Sequence, residues 1–393
     1  MKERMHIAHF TNTYKPNVNG VVRSVSSFRD AFTRMGHNVF IFAQEARDYE
    51  DTEPFVFRYP AVKIPTVDYS AVLPVSHSIN SVLPVLKLDV IHSNHPTLLG
   101  DVAATKAKDL GLPLVFTFHT RYDMYSHYVP FSQAFVKSVI TRSVARYLRL
   151  CNHIVTPTES IRQMLLDVGV RGPVTAVPTG IDLRPYQQAD GQAIREKYGW
   201  GQDKVLVSIG RMAPEKNWTT LLDAMAQVCE QRHDVRLVLI GSGPQANELE
   251  EYAAKLGIGD KVQFTGLVPM DAVPAHLKAA DMFVFASISE TQGLVTMEAM
   301  SAGLPVVAVD ATGTSDEVTD GEQGLLTEND SDALAQAILK VLDDPALYAR
   351  LKDGATRKAQ SFDIMAKARQ MLDVYAQAIE DKKANRTIEV DKA

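Results

Sequence analysis

Cysteine is scarce: the 393 residues contain only Cys151 and Cys229, too few and too far apart for a disulfide framework or a paired metal-ligand motif. Both are expected to be free, and an intracellular chain is the simplest reading. No apolar run reaches the roughly 18 residues that a membrane span requires, and the opening MKERMHIAHF lacks the apolar centre of a signal peptide. The chain is therefore expected to stay in the compartment where it is made, cytoplasmic or at the cytoplasmic membrane surface. Low-complexity segments and short-period repeats are missing too. Only the tail after about Glu380 reads as loose. No cysteine–histidine cluster and no serine-nucleophile elbow is visible. The single Asp-x-Asp, Asp330-Ser331-Asp332, precedes ALAQAILKVL, where helix capping explains it. The chemistry is thus expected to need no metal.

What is present is ordinary globular material, 46% hydrophobic and 22% charged, in a chain long enough for two domains. The net charge of −6 conceals an asymmetry: residues 1–185 carry 20 Lys and Arg against 15 Asp and Glu, and residues 186–393 carry 21 against 32. A basic half joined to an acidic half suggests that the first faces something negative. No nucleic-acid partner is expected. Short apolar, β-branched runs alternate with longer amphipathic ones, the α/β pattern. The strand-like runs are His6–Phe10, Val39–Ala43, Val90–His92, Leu114–Phe118 and Ile154–Thr156, then Val205–Ile209, Arg236–Ile240, Val262–Phe264, Met282–Phe285 and Val306–Val309. Helical segments such as Trp218–Arg232 and Ala246–Lys255 separate them. Both halves read as separately wound parallel sheets, with the seam in VPTGIDLRPY, Val177 to Tyr186, where Pro178, Gly180 and Pro185 interrupt regular structure. A ligand site is expected in the cleft between the halves, beyond the carboxyl ends of the strands.

The residues that could carry chemistry follow strands. GRMAPEKN after Val205–Ile209 sets Arg211 and Lys216 five positions apart, an arrangement that could grip a diphosphate, Arg through its planar fork and Lys as a point charge. GSGPQA after Arg236–Ile240 fits the loose glycine-x-glycine-x-x-alanine fingerprint at Gly241 and Gly243. It lies on a late strand, however, and Asp260 precedes the next strand instead of ending it, so a turn admitting a nucleotide, or a purely structural tight turn, is favoured over a dinucleotide site. In SETQGLVTMEAM a helix starting near Gly293 would aim the N–H groups of Gly293 to Val295 at a phosphate. Glu298, about 7.5 Å farther along it, would accept hydrogen bonds from a ribose diol, and Glu290, before the tip, would meet other hydroxyls. In the first half, a helix is expected to start at Asn19-Gly20-Val21, where glycine permits close approach of a phosphate. His119 lies just past the strand Leu114–Phe118.

This pattern resembles the retaining glycosyltransferases of the GT-B fold in the large family 4, or group 1. The resemblance covers nearly the whole chain: the Asn19-Gly20 loop, His119, the Val177–Asp182 seam, Arg211 with Lys216, Gly241–Pro244, and Glu290 to Glu298. It implies two Rossmann-like doubly wound α/β domains facing across a cleft. Residues 1–182 would be the acceptor-binding domain, residues 183–365 the nucleotide-sugar domain, and a final helix at 366–385 would pack back on the first. It further implies that Arg211 and Lys216 stabilise the leaving diphosphate, that Glu298 holds the ribose, and that Glu290 with the backbone of Gln292, Gly293 and Leu294 holds donor sugar and phosphate. His119 would contact the sugar near C6 and Gly20 would approach the diphosphate, with Gly241 and Gly243 in the donor site. Retention in such enzymes is ascribed to front-face attack, the donor phosphate taking the acceptor's proton, without a metal or other cofactor.

HTRYDMYSHYV and SETQGLV are most similar to the diacylglycerol glucosyltransferases that begin glycolipid synthesis, which implies UDP-glucose as donor, a lipid acceptor and a peripheral place on an anionic membrane. In PFSQAFVKSVITRSVARYLRL, Lys137, Arg142, Arg146 and Arg149 interleave with Phe135, Val139, Val144 and Leu148, as for a helix on anionic lipid or a packed helix with a solvated basic stripe. Those enzymes are strongly basic where they face the membrane, whereas Ser70 to Leu88 here has only Lys87. The rival readings are a cytosolic glycosyltransferase with a soluble acceptor, a nucleotide-sugar epimerase or non-catalytic binder, and, weakest, a dehydrogenase.

Overall fold

The structure is a computed structural model that describes residues 4–46, 48–63, 70–119 and 142–391. Its strands are β1 His6–Thr11, β2 Asn38–Gln44, β3 Val56–Tyr59, β4 Ala61–Lys63, β5 Ser70–Val72, β6 Val90–Ser93, β7 Leu114–Thr117, β8 His153–Thr156, β9 Val170–Arg171 and β10 Val174–Ala176 in the first part of the chain. In the second part come β11 Lys204–Ile209, β12 Val235–Ile240, β13 Val262–Gly266, β14 Met282–Phe285, β15 Val306–Val309 and β16 Gly324–Thr327, and last β17 Glu389–Val390. Two compact units result, one of residues 1–180 and 364–393, the other of residues 181–363.

The first unit is built on a seven-stranded sheet in the order β10-β8-β7-β6-β1-β2-β3, every neighbouring pair parallel. A sheet covered on both faces needs strands apolar on both faces, and Ile7, Ala8, Phe10, Val90, Ile91, Val115 and Phe116 are all buried. The helix Gly20–Arg34 and the last long helix, Ile364–Lys383, cover one face: Val25, Phe28 and Phe32 of the first pack with Met371, Val374 and Tyr375 of the second over Ile7, Ile41 and Val115. The tail that reads as loose in the sequence is tied down instead. β17 pairs antiparallel with β9, and Ile388 beside it is 1% exposed; two residues of strand and one buried isoleucine are too short a signal to stand out among Lys and Asn.

The second unit carries a six-stranded parallel sheet in the order β13-β12-β11-β14-β15-β16. The helix Trp218–Gln231 covers one face with Leu221, Leu222, Met225 and Val228, and the helix Leu294–Ser301 puts Met297, Ala299 and Met300 against the other. In each sheet the strand order runs outward one way and then the other. The reversal falls between β1 and β6 in the first unit and between β11 and β14 in the second. Loops leaving two adjacent strands in opposite directions open a crevice at that point, where open α/β sheets bind ligands.

Candidate active site

In the second unit the crevice is walled by the loops after β11 and β14, which hold Arg211, Lys216 and Glu290. The first loop ends in a single 3-10 turn, Pro214–Lys216, and Asn217, in the left-handed region at φ 56°, breaks it before the helix Trp218–Gln231 begins. Hydrogen bonds stitch it to the second loop: Asn217 Nδ2 donates to the carbonyl of Ala286 at 3.2 Å, and Ser289 Oγ and Ser287 Oγ to that of Glu215 at 3.3 and 3.5 Å. Across this seam Lys216 Nζ donates to Glu290 Oε1, which also accepts from Ser287 Oγ at 2.7 Å. Burial raises the carboxyl's pKa, but the ammonium's charge and hydrogen bond and the serine hydroxyl outweigh it and hold Glu290 below the usual carboxylate range. Lys216 and Glu290, which the sequence assigns to separate parts of a ligand, thus form one half-buried unit. Arg211 is exposed, its carbonyl accepting from Trp218 Nε1 at 3.0 Å.

Gly241 and Gly243 lie beside this loop, and their identity has a reason within the protein. A Cβ on Gly241, at φ 142°, would lie 1.9 Å from the carbonyl oxygen of Gly210, and one on Gly243 would lie 2.3 Å from that of Met212. Backbone bonds from Gly210 N to Ile240 O and from Met212 N to Ser242 O, each 3.0 Å, hold the two loops this close. The glycine turn therefore supports the Arg211 loop from beneath, the structural alternative that the sequence leaves open.

The helix Leu294–Ser301 starts at Gly293, φ 71°, with no acid in its first turn and no side-chain cap, so the positive end of the helix is not neutralised locally. The turn before it is fixed from a loop that motif reading missed: a Cβ on Gly313 would come within 2.6 Å of the Glu290 carbonyl oxygen and 2.9 Å of the Gln292 nitrogen. Gln292 is buried and donates through Nε2 to Met297 Sδ at 3.1 Å, and Leu294 is half-buried. Glu298 is 3% exposed, and its Oε1 accepts from Tyr186 Oη at 2.8 Å. Tyr186 is the other functional neighbour the sequence hid, since 112 residues separate it from its partner.

In the first unit, Gly20 opens the helix Gly20–Arg34, which also lacks an acid in its first turn; Asn19 Oδ1 caps it by accepting from Val22 N at 3.0 Å. A Cβ at Gly20 would meet nothing within 4 Å, so packing in this unit does not demand a glycine there. His119, two residues past β7, is half-buried and bonds through Nε2 to Asn94 Oδ1 at 3.0 Å. Burial, with His95 and His9 nearby, lowers its pKa to about 3; the imidazole is neutral at physiological pH. The interleaved basic stretch is described only in part: Phe135, Lys137 and Val139 lie outside the described residues. Residues 142–148 are helical, with Arg142 and Arg146 exposed, as is Arg149 after them, while Val144 and Leu148 pack toward the core. The apolar side of this segment faces protein, in keeping with the packed helix and solvated basic stripe, one of the two readings the sequence leaves open. Among the described residues no helix is long and apolar enough to cross a membrane.

Comparison with known proteins fits this geometry. The family model described as Glycosyltransferase Family 4 matches residues 18–184, and that described as Glycosyl transferases group 1 matches residues 190–358. An alpha-monoglucosyldiacylglycerol synthase of Streptococcus pneumoniae is 33% identical over 86% of this chain and 78% of its own. A GDP-mannose-dependent alpha-mannosyltransferase of Corynebacterium glutamicum is 26% identical over 95% of this chain and 89% of its own. Among solved structures, the Anabaena protein HepE in complex with UDP superposes with a TM-score of 0.76, at 20% identity, over 95% of this chain and 100% of its own.

Proposed function

The chain belongs to the group 1, family 4 glycosyltransferases of the GT-B fold, and from that premise we propose that it is a retaining hexosyltransferase that moves glucose from UDP-glucose to diacylglycerol. The observation that carries the donor half is the pairing, at one sheet reversal, of two cations with a helix tip free of acids: Arg211 and Lys216 after β11, and Gly293-Leu294 after β14. Such a site suits a leaving diphosphate, whose charge grows in the transition state and is met by preorganised donors. Arg211 and Lys216 bind its oxygens, and the N–H groups of Gly293 and Leu294 take the phosphate next to the sugar. The bonds from Lys216 and Ser287 both fall on Glu290 Oε1, and Oε2 is assigned to sugar hydroxyls. Glu298 is assigned to the ribose, and in the first unit Gly20 to the diphosphate and His119 to the sugar near C6.

In the proposed reaction the bond from the sugar C1 to the UDP oxygen breaks, a bond from C1 to the acceptor hydroxyl oxygen forms on the same face, and the hydroxyl proton passes to the departing phosphate. Arg211, Lys216 and the helix tip carry the charge without a divalent ion, and the first unit, residues 1–180 with the last helix, takes the acceptor. The lipid acceptor draws support from the relative named for it and from the surface around β4 and the residues after β5. There Val62, Leu73, Val75 and Val85 are exposed, so the segment that is poor in charge is rich in solvated apolar side chains, as an interfacial surface requires. The exposed Arg142, Arg146 and Arg149 would add attraction to anionic lipid, placing the enzyme peripherally on the cytoplasmic membrane.

The test is nucleotide release from UDP-glucose, UDP-galactose, GDP-mannose and ADP-glucose, each with and without vesicles of diacylglycerol in anionic phospholipid. UDP release from UDP-glucose that depends on the diacylglycerol supports the proposal. Release that ignores the vesicles and follows a soluble sugar acceptor, or release from GDP-mannose alone, overturns it.

A further inference from the structure

The strand-order reversal of the first unit, between β1 and β6, carries a feature that the proposed reaction leaves unused. Two loops bound it, residues 12–19 after β1 and residues 94–98 after β6. In the second loop Gly100 N donates to the carbonyl of Thr97 at 3.0 Å, closing a tight turn as the helix Leu99–Asp109 begins. Leu98, the first central residue of that turn, has φ 57° and ψ −108°, close to the type II′ geometry in which glycine is the usual occupant. For a leucine this backbone is strained, and such strain persists only where the surrounding structure over-determines it.

Asn12 supplies the constraint. Its Nδ2 donates to the carbonyl of Thr97 at 3.1 Å and its Oδ1 accepts from Leu99 N at 3.0 Å, so one side chain grips the main chain on both sides of Leu98. Asp101 Oδ2 accepts from Leu98 N at 3.1 Å, and Asn12 N donates to His95 Nδ1 at 3.1 Å. The two loops are thereby locked together around the leucine.

Neither the turn nor the core explains a leucine here. Glycine would satisfy the turn without strain, and the chain does use glycine two positions on, where a Cβ on Gly100 would lie 1.9 Å from the carbonyl oxygen of His95. The core is served by the next residue, Leu99, which is fully enclosed, whereas Leu98 is 40% exposed. A solvated leucine is ordinary by itself. One that is held in a glycine conformation by the side chains of Asn12 and Asp101, at the point where open α/β sheets bind ligands, calls for a further partner. Val18 in the loop after β1 is exposed too, at 64%, so both loops that bound the reversal present an apolar side chain.

We infer that Leu98 is a specificity-determining residue for the acceptor: the Asn12 lock presents its side chain at the crevice of the first unit as the contact for hydrocarbon next to the accepting hydroxyl. The inference rests on the proposed function, in which the first unit takes diacylglycerol, and it names the part of that lipid that is read, the first methylenes of an acyl chain beside the glycerol. Glycerol or a free sugar has nothing to set against the leucine.

Short-chain diacylglycerols that dissolve as monomers separate this contact from binding to a membrane. On the full chain, UDP release from UDP-glucose is measured with diacetyl-, dibutyryl- and dihexanoylglycerol for the wild type, Leu98→Gly and Leu98→Met, with melting temperature and, by calorimetry, UDP-glucose affinity alongside. Wild-type kcat/KM should rise with acyl length. Leu98→Gly should flatten that rise and lower kcat/KM for dihexanoylglycerol by about tenfold, the worth of burying part of a leucine side chain. Its melting temperature should be equal or higher, because the strain is gone, and its UDP-glucose affinity native. Leu98→Met, which keeps an apolar side chain at the position, should restore most of the loss. A Leu98→Gly protein with native kcat/KM, with the same loss at every acyl length, or with a clearly lowered melting temperature overturns the inference. So does a wild type whose turnover ignores acyl length, a result that leaves the proposed reaction standing. A wild type inert toward all three lipids but active on a soluble sugar refutes the proposed function, and the inference falls with it.

Discussion

Tyr186 Oη donates to Glu298 Oε1 at 2.8 Å in a position where the carboxylate is almost wholly enclosed. The bond joins the short helix Leu183–Gln188 to the helix Leu294–Ser301, and it holds one carboxylate oxygen in place. Tyr186→Phe removes this one donor, and a hydrogen bond of this kind is worth about 1–3 kcal/mol. The expected result is a lower denaturation midpoint together with weaker UDP binding by calorimetry. Glu298→Ala should weaken UDP by a few kcal/mol at most, and unchanged nucleotide affinity in that variant would remove the ribose assignment.

The proposed roles of Lys216 and Glu290 can be tested by separating binding from turnover. In the proposed reaction the ammonium would meet a leaving group whose charge rises along the reaction, so Lys216→Ala should lower kcat more than it weakens UDP-sugar binding. An equal loss of affinity with kcat untouched would contradict this role. Glu290→Gln keeps the shape and removes the charge that the ammonium now faces.

That pair also predicts a pH dependence. The folded pKa of Glu290 is depressed, so its contribution to stability is present above the unfolded value, about 4.3, and is lost as pH falls through the folded value. Glu290→Gln should therefore flatten the acid limb of the stability curve below about pH 4 and leave the neutral region nearly unchanged. Thermal melts of both proteins between pH 3 and pH 7 read the difference.

Three histidines of the first unit act in a higher window. His9, His95 and His119 have folded pKa values lowered by burial to about 3, 4 and 3. The unfolded chain takes up their protons first, below about pH 6.5. Each then removes stability at about 1.4 kcal/mol per pH unit as pH falls from there toward the folded values. The melting temperature should drop steeply between pH 6.5 and pH 4.5, and replacing His95 by Asn should make the slope shallower. A flat melting temperature across that interval would mean that these rings are charged in the folded protein.

Much of this was legible in the sequence because parallel strands buried on both faces are near-continuous apolar runs; the strand-like runs all fall on strands of the two sheets. The edge strands β3, β10 and β16 were not, because an edge strand such as Val56–Tyr59 mixes Arg58 with apolar residues over four positions. Strand order was not legible either, and it is the order that makes the loops after β11 and β14 neighbours. The residues that steady the candidate site, Tyr186, Ser287, Gly313 and Asn94, carry no motif. Their partners are set by tertiary approach, and the Asn94–His119 bond spans 25 residues and two strands.

The glycines give the cleanest contrast between fold and chemistry. At Gly241 an alanine Cβ would lie 1.9 Å from the carbonyl oxygen of Gly210 at a φ of 142°, a clash with main chain that no rotamer relieves, in a conformation L-residues rarely adopt. Gly241→Ala should therefore cost several kcal/mol, in the range of strained backbone and overpacking together, and lower activity by unseating the Arg211 loop. At Gly20 the added methyl meets nothing within 4 Å and the residue is the first of a helix, where alanine is the better helix former by up to about 1 kcal/mol. Gly20→Ala should leave the melting temperature unchanged or slightly raised. If a diphosphate approaches that backbone, the same variant must lose affinity for the UDP-sugar while remaining fully folded. A variant with native stability and native UDP-sugar affinity would show that the space above Gly20 is never used by the donor.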